Sequence, residues 1–210
     1  MGEVIDSRDN RQQPTDLDVH AGRRHDLAVA ALHTWSEHGY SQVSVRNVAR
    51  RTRFSHGMVH YYFQSKDALV AECVRLIADA HIFAADCSGA AGVTDYSGRL
   101  AGALSESFRT HRRLHRVRYD LRNQSQFEPR LRPFAAVVED DRARWQRDVQ
   151  RRYEALGWHF DPPFELLAEQ VDALVERAVR ADLLGSDLDN AAAELHEDLL
   201  RVLPKDEAVR

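Results

Sequence analysis

Apolar residues recur at helical spacing along most of the chain, and no stretch alternates with period two as a half-buried strand would. Leu27, Ala28, Ala31, Leu32 and Trp35 make one face of a helix predicted over about 23–38. Gly39 follows it, and glycine suits the left-handed residue that ends a helix. Ser44 reads as the N-cap of a short second helix, with Val45, Val48, Ala49 and Thr52 on one stripe. Ser55 reads as the cap of a third helix, in which Val59, Tyr62 and Phe63 repeat the spacing. Ser65 caps a fourth, with Leu69, Cys73, Leu76 and Ile77 on its apolar face. Helices as short as the second and third bury little by themselves and need the first behind them. That arrangement is a helix-turn-helix.

Beyond a loop at 88–95, helices are expected over about 96–112 and 114–123. A long one follows over about 133–156, with Phe134, Val138, Trp145 and Val149 on one side and Gly157 at its end. Asp140 with Arg144 and Asp148 with Arg152 form i, i+4 pairs on its wet side. The last two helices carry clean stripes: Leu167, Val171, Leu174, Val175 and Ala178, then Leu188, Ala192, Leu195, Leu199 and Val202. Such a pair folds either as a hairpin within the chain or, across a two-fold axis, as a four-helix bundle. The fold class expected is all-α: a three-helix N-terminal helix-turn-helix domain at 21–66, then a larger helical domain at 67–210. Residues 1–20 are polar, contain Pro14 and show no apolar period, so they read as a disordered tail.

Composition narrows the function classes. The 210 residues are 43% hydrophobic, with a mean hydropathy of −0.52. No run approaches the roughly 18 apolar residues of a membrane span. The N-terminus lacks the apolar core of a signal peptide, so a cytoplasmic protein is expected. Net charge is −4, yet between His20 and Lys66 the cations Arg23, Arg24, Arg46, Arg50, Arg51, Arg53 and Lys66 face only Asp26 and Glu37. A basic face on a helix-turn-helix attracts phosphates without regard to sequence, and side chains on the third helix would supply the base contacts. Arg50 and Arg51 read equally well as a solvated helix face.

Residues 24–72 resemble the DNA-binding domain of the TetR/AcrR transcriptional regulators. The resemblance rests on Ala30-Ala31, Trp35, Gly39-Tyr40, Ser44-Val45-Arg46, Val48-Ala49, Ser55, Gly57, Tyr62-Phe63, Ser65-Lys66 and Leu69. It departs at Arg53, where the family usually has glycine in the turn, and at His60, where the family commonly has tyrosine. The resemblance implies DNA contacts from Ser44, Arg46, Arg53, Ser55, His56, Gly57, Met58, His60, Tyr61, Tyr62 and Lys66, with Arg46 suited to guanine and Tyr62 and Lys66 to phosphate. It also implies a ligand-responsive regulator, a repressor in expectation, that binds a palindromic double-stranded DNA operator as a homodimer. An unidentified small-molecule effector would enter the larger domain, where Phe83, Phe108, His111, Tyr119, Phe127, Trp145 and Tyr153 are candidates, and each reads also as plain core. The dimer interface would use Leu167, Val171, Leu174, Val175, Ala178, Leu188, Ala192, Leu195 and Leu199.

Catalytic chemistry has no sequence signal here: no Gly-rich phosphate loop, no GxSxG elbow and no supported carboxylate pair. No enzymatic activity and no cofactor are therefore expected. His111 and His115 have zinc-compatible spacing, but Arg112, Arg113 and Arg116 surround them and no third ligand lies near, so no metal is expected. Arg118 and Arg122 read as a solvated face rather than partners for an acidic ligand. The alternatives to a regulator are an all-α small-molecule-binding protein and an interaction module that no longer reads DNA.

Overall fold

A computed structural model describes residues 16–52, 54–83 and 87–206, with side chains from His20 onward. Among the described residues all regular structure is helical: α1 (Asp16–His38), α2 (Val45–Arg51), α3 (His56–Tyr62), α4 (Lys66–Asp79), α5 (Val93–Thr110), α6 (Arg112–Phe127), α7 (Arg132–Ala155), α8 (Phe164–Leu183) and α9 (Leu188–Val202). The all-α expectation and the order of elements hold. Three serines set the short helices as the sequence predicts. Ser44 Oγ accepts from Asn47 N–H (3.1 Å), Ser55 Oγ from Met58 N–H (3.2 Å) and Ser65 Oγ from Ala68 N–H (3.1 Å). Each such cap stabilises by about 1 kcal/mol. Gly39 (φ 77°) and Gly157 (φ 85°) sit in the left-handed region where α1 and α7 end.

α6 runs past both of its expected ends, and two other boundaries differ from expectation through a partner distant in sequence. α1 begins at Asp16, so the tail expected over 1–20 gives way to helix over its last five residues, while residues 1–15 lie outside the described residues. The His20 ring packs 4.6 Å from that of Tyr62 and holds the added turn against α3. α5 starts at Val93, inside the expected loop. Its first turn is capped from the far end of the chain: Asp206 Oδ2 accepts from Thr94 N–H (3.0 Å) and Asp206 N–H donates to Thr94 Oγ1 (2.8 Å). Gly92 leaves room for this, since a Cβ there would stand 3.2 Å from the Asp206 carboxylate.

α1, α2 and α3 form the N-terminal head around Leu27, Ala31, Trp35, Val48, Val59 and Phe63, all buried. α4 packs on α1 and α7, and α9 packs on α5 and α8. α6 occupies the middle, against α1, α5, α7 and α8. Polar contacts join head to body. Asp120 Oδ2, from α6, accepts from Trp35 Nε1–H (2.7 Å) and from Tyr40 N–H (2.8 Å). Lys66 Nζ donates to the Tyr40 carbonyl (2.9 Å) and lies 3.5 Å from the centre of the Tyr40 ring.

The stripes of α8 and α9 turn inward. Val171, Val175, Ala178, Ala192, Leu195 and Leu199 are buried within the chain, and Leu167, Leu174 and Leu188 pack half-buried beside them. These nine residues were expected at a dimer interface. α9 lies between α5 and α8, so the apolar faces are covered by the chain itself.

Candidate nucleic-acid interface and effector cavity

α3 is short, and its direction is fixed at both ends. Ser55 caps its N-terminus. At the other end Arg24, from α1, donates from Nη1 to the Tyr62 carbonyl (3.0 Å), from Nε to Glu72 (3.0 Å), and lies 4.6 Å over the Phe63 ring. Burial raises the Glu72 carboxyl, but hydrogen bonds from Arg75 and Arg24 outweigh it and hold the group below its ordinary value. Val59 and Phe63 anchor α3 from beneath. His56, Gly57, His60 and Tyr61 are left facing solvent, with Tyr61 71% exposed. A Cβ at Gly57 would meet open space, so the backbone there is accessible to an approaching surface.

Arg46 and Arg50, on α2, stand exposed with no ion-pair partner among the described residues, and so does Arg23 on α1. Free guanidinium groups beside an exposed short helix suit phosphates and guanine edges. Arg51 is tied to His38 (2.6 Å) and reaches Glu37 at 4.0 Å. Ser44 and Ser55 contribute as caps. Met58 is partly buried against the core. Arg53 lies outside the described residues.

Two residues expected at phosphate have partners within the protein. Lys66 is half-buried, with its ammonium held by the Tyr40 carbonyl and ring. Burial lowers its pKa, as does the nearby Arg130. Tyr62 is buried to 9% exposure, its ring packed between His20 and Tyr61. Both stabilise the head; Tyr61 is the exposed aromatic side chain of the pair.

In the body, the expected effector residues separate into three groups. Phe83 and Trp145 stand 5.4 Å apart and line a cavity of about 420 Å³ with Tyr96, Leu100 and Val149, and with Asp141 and Asp148 on the α7 side. Phe108 and Tyr153 are core: Phe108 packs on His115, and the Tyr153 hydroxyl bonds Ser97 (2.7 Å). Tyr119 is half-buried against the core, and Phe127, at the end of α6, is 83% exposed. His111 is exposed and lines a different cavity, between α1 and the α5–α6 turn.

Arg118 also departs from expectation. It is 4% exposed, stacked 4.8 Å over the Phe83 ring, with Glu139 at 3.6 Å and two guanidinium nitrogens without hydrogen-bond partners. Burial pushes its pKa down to about 10. Arg122 pairs with Glu176 on α8. His115 is enclosed too, with Nε2 3.2 Å from Ser107 Oγ; burial, helped by Arg118, lowers it to about 3. Its i, i+4 partner His111 faces outward, and among the described residues no group of three or more His, Cys, Asp or Glu side chains is placed to hold a metal. Nor is any described helix long and apolar enough to cross a membrane.

Residues 27–73 match the family model of bacterial regulatory proteins, tetR family. No curated protein sequence matches the chain. Among solved structures, a transcriptional regulator from Saccharomonospora viridis in complex with choline aligns with a TM-score of 0.67 at 19% identity, covering 89% of this chain and 100% of that one. The ketosteroid transcriptional regulator KstR2 of Mycobacterium tuberculosis aligns at 0.64 and 20% identity, over 88% of this chain and 96% of its own. The fatty acid degradation regulator FadR of Bacillus halodurans aligns at 0.64 and 19% identity, over 85% and 98%. At these identities the likeness is one of fold.

Proposed function

We propose that this chain, which carries the DNA-binding domain of the TetR family of bacterial regulatory proteins on a body with the fold of such regulators, is a cytoplasmic, ligand-responsive repressor that reads a palindromic operator as a homodimer. The observation that supports DNA reading is the exposed set Arg46, Arg50, His56, His60 and Tyr61 around a third helix whose own ends are tied down. A helix held this way presents its side chains to a major groove without first having to be ordered.

The effector site in this reading is the cavity between Phe83, Tyr96 and Trp145, whose volume falls within the usual range for small-molecule pockets. Its three aromatic rings offer their faces to a small organic cation, while Asp141 is already paired with Arg144, which also lines the cavity, and Asp148 with Arg151. Choline in the Saccharomonospora viridis protein is a ligand of that class.

The dimer surface in this reading is the face of α8 and α9 left outside. Leu166, Gln170, Ala173, Arg177, Arg180 and Leu184 are all exposed and recur at alternating steps of four and three. Asn190, Ala193, Glu197 and Arg201 form the matching exposed stripe of α9. A two-fold axis would set Arg180 of α8, which has no ion-pair partner among the described residues, near the Glu197 end of α9 in a second copy, around the small Ala173 and Ala193.

Selection of bound sequences from random duplex DNA tests the proposal. The expected result is an inverted repeat with half-sites about one helical turn apart, lost in Arg46→Ala and Tyr61→Ala. Enrichment of nothing at low salt, with and without choline, would refute operator reading.

A further inference from the structure

A second cavity, of about 520 Å³, opens where the head meets the body. Its apolar floor comes from both sides of that junction: Val29 and Leu32 on α1, Leu76 on α4 and Leu114 on α6. Its other wall is the α5–α6 turn, which contributes Arg109, Arg112, Arg113 and Arg116. His25, His33 and His111 add further nitrogen donors, and Glu37 is the one carboxylate in the lining.

These arginines are not equivalent. Arg112 and Arg116 both bind the buried Asp182 carboxylate, at 2.7 and 2.5 Å, so they form a fixed strut between α6 and α8. Arg109 is paired with Glu106 at 2.8 Å. Glu37 already lies near His38 (3.7 Å) and Arg51 (4.0 Å). Arg113 has no ion-pair partner among the described residues and is exposed at the cavity wall. α6 also begins here, with no side-chain cap, so the positive end of its dipole adds to the same field.

The geometry points to a binding site for an anionic amphiphile: an aliphatic chain on the leucine and valine floor and a carboxylate or phosphate head on Arg113 at the start of α6. An apolar floor beside an uncompensated guanidinium leaves a neutral alkane with no polar partner and repels a cation. The floor is shared between α1 of the head and α4 and α6 of the body, and the cationic wall belongs to the body. A ligand that spans both braces one against the other and so changes how the two recognition helices are held. This site is separate from the aromatic cavity; its effect on operator affinity rests on the proposed function, but its occupancy does not.

Calorimetric titration of the full chain with sodium decanoate is the direct test, with decyl phosphate, decan-1-ol and decyltrimethylammonium as comparators. Decanoate or decyl phosphate is expected to bind, and which is tighter identifies the head group. Arg113→Glu and Val29→Asp should each weaken binding by about tenfold or more, while Trp145→Ala should leave it unchanged. Circular dichroism and melting of each variant would separate loss of a contact from loss of fold. Equal binding of decyltrimethylammonium, unchanged affinity in a folded Arg113→Glu protein, or loss only in Trp145→Ala would each overturn the assignment. A failed operator selection would leave this titration unaffected.

Discussion

Asp120→Ala tests how the DNA-reading head is fixed to the body. In the folded chain one carboxylate oxygen of Asp120 accepts both the Trp35 indole N–H and the Tyr40 amide. Trp35 is 1% exposed and Tyr40 2%, so water does not readily replace the lost acceptor. A buried donor left without a partner costs about 1–3 kcal/mol. Two such donors give roughly 2–6 kcal/mol, a large part of the 5–15 kcal/mol that typically holds a domain folded. Urea unfolding followed by circular dichroism would read this as a lower midpoint with unchanged slope. Asp120→Asn keeps one acceptor oxygen and should lose less. A loss below about 0.5 kcal/mol, within the scatter of ordinary surface substitutions, would refute the view that this carboxylate satisfies two enclosed donors.

His115 gives a pH signature. Its folded pKa is pushed down from 6.5 to about 3, so between those values the unfolded chain holds a proton that the folded chain refuses. Stability should therefore fall as pH drops below 6.5, by up to about 1.4 kcal/mol per unit from this group. The difference in unfolding free energy between wild type and His115→Leu, measured from pH 7 to 5, should show that slope; a flat difference would mean that the ring takes up its proton in the fold. Ala173→Asp places a charge in the middle of the exposed α8 stripe and should convert the proposed dimer to a monomer in sedimentation without changing helicity. A dimer of unaltered mass would exclude that face.

What the sequence made legible was local. Ser44, Ser55 and Ser65 cap their helices because an N-cap needs only a side-chain oxygen near the amide three residues on. The stripes of α1, α8 and α9 identified buried positions correctly, since periodicity reports which side of a helix is apolar. Periodicity does not report what covers that side. The α8 and α9 stripes pack within their own chain, and the outward face mixes Leu166, Ala173, Leu184 and Ala193 with charged residues, too sparse an apolar pattern to mark it. Tyr62 and Lys66 show a related limit: a tyrosine or lysine near a basic motif looks the same in sequence whether it meets phosphate or a neighbouring helix. Asp120, Arg24, Asp182 and Asp206 act through partners 48 to 112 residues away. No spacing rule reaches that far.

The contacts made through Asp120 and Asp182 both lie on α6, and their order along the helix bears on the proposed regulation. At the start, Arg112 and Arg116 fix it to α8 through Asp182. Two residues on, Arg118 stacks on Phe83, whose ring lines the aromatic cavity. Next, Asp120 holds Trp35 and Tyr40 at the end of α1. Tyr40 in turn receives Lys66, at the start of α4, directly after α3. A ligand that displaces Phe83 therefore disturbs a buried guanidinium two residues from the carboxylate that seats the head. Packed interiors transmit such displacements because side chains have few alternative arrangements at this density. The coupling can be measured: in a double-mutant cycle on operator affinity, Phe83→Ala and Asp120→Asn should be non-additive in the presence of effector. Strict additivity would mean that effector and operator communicate by another path than α6.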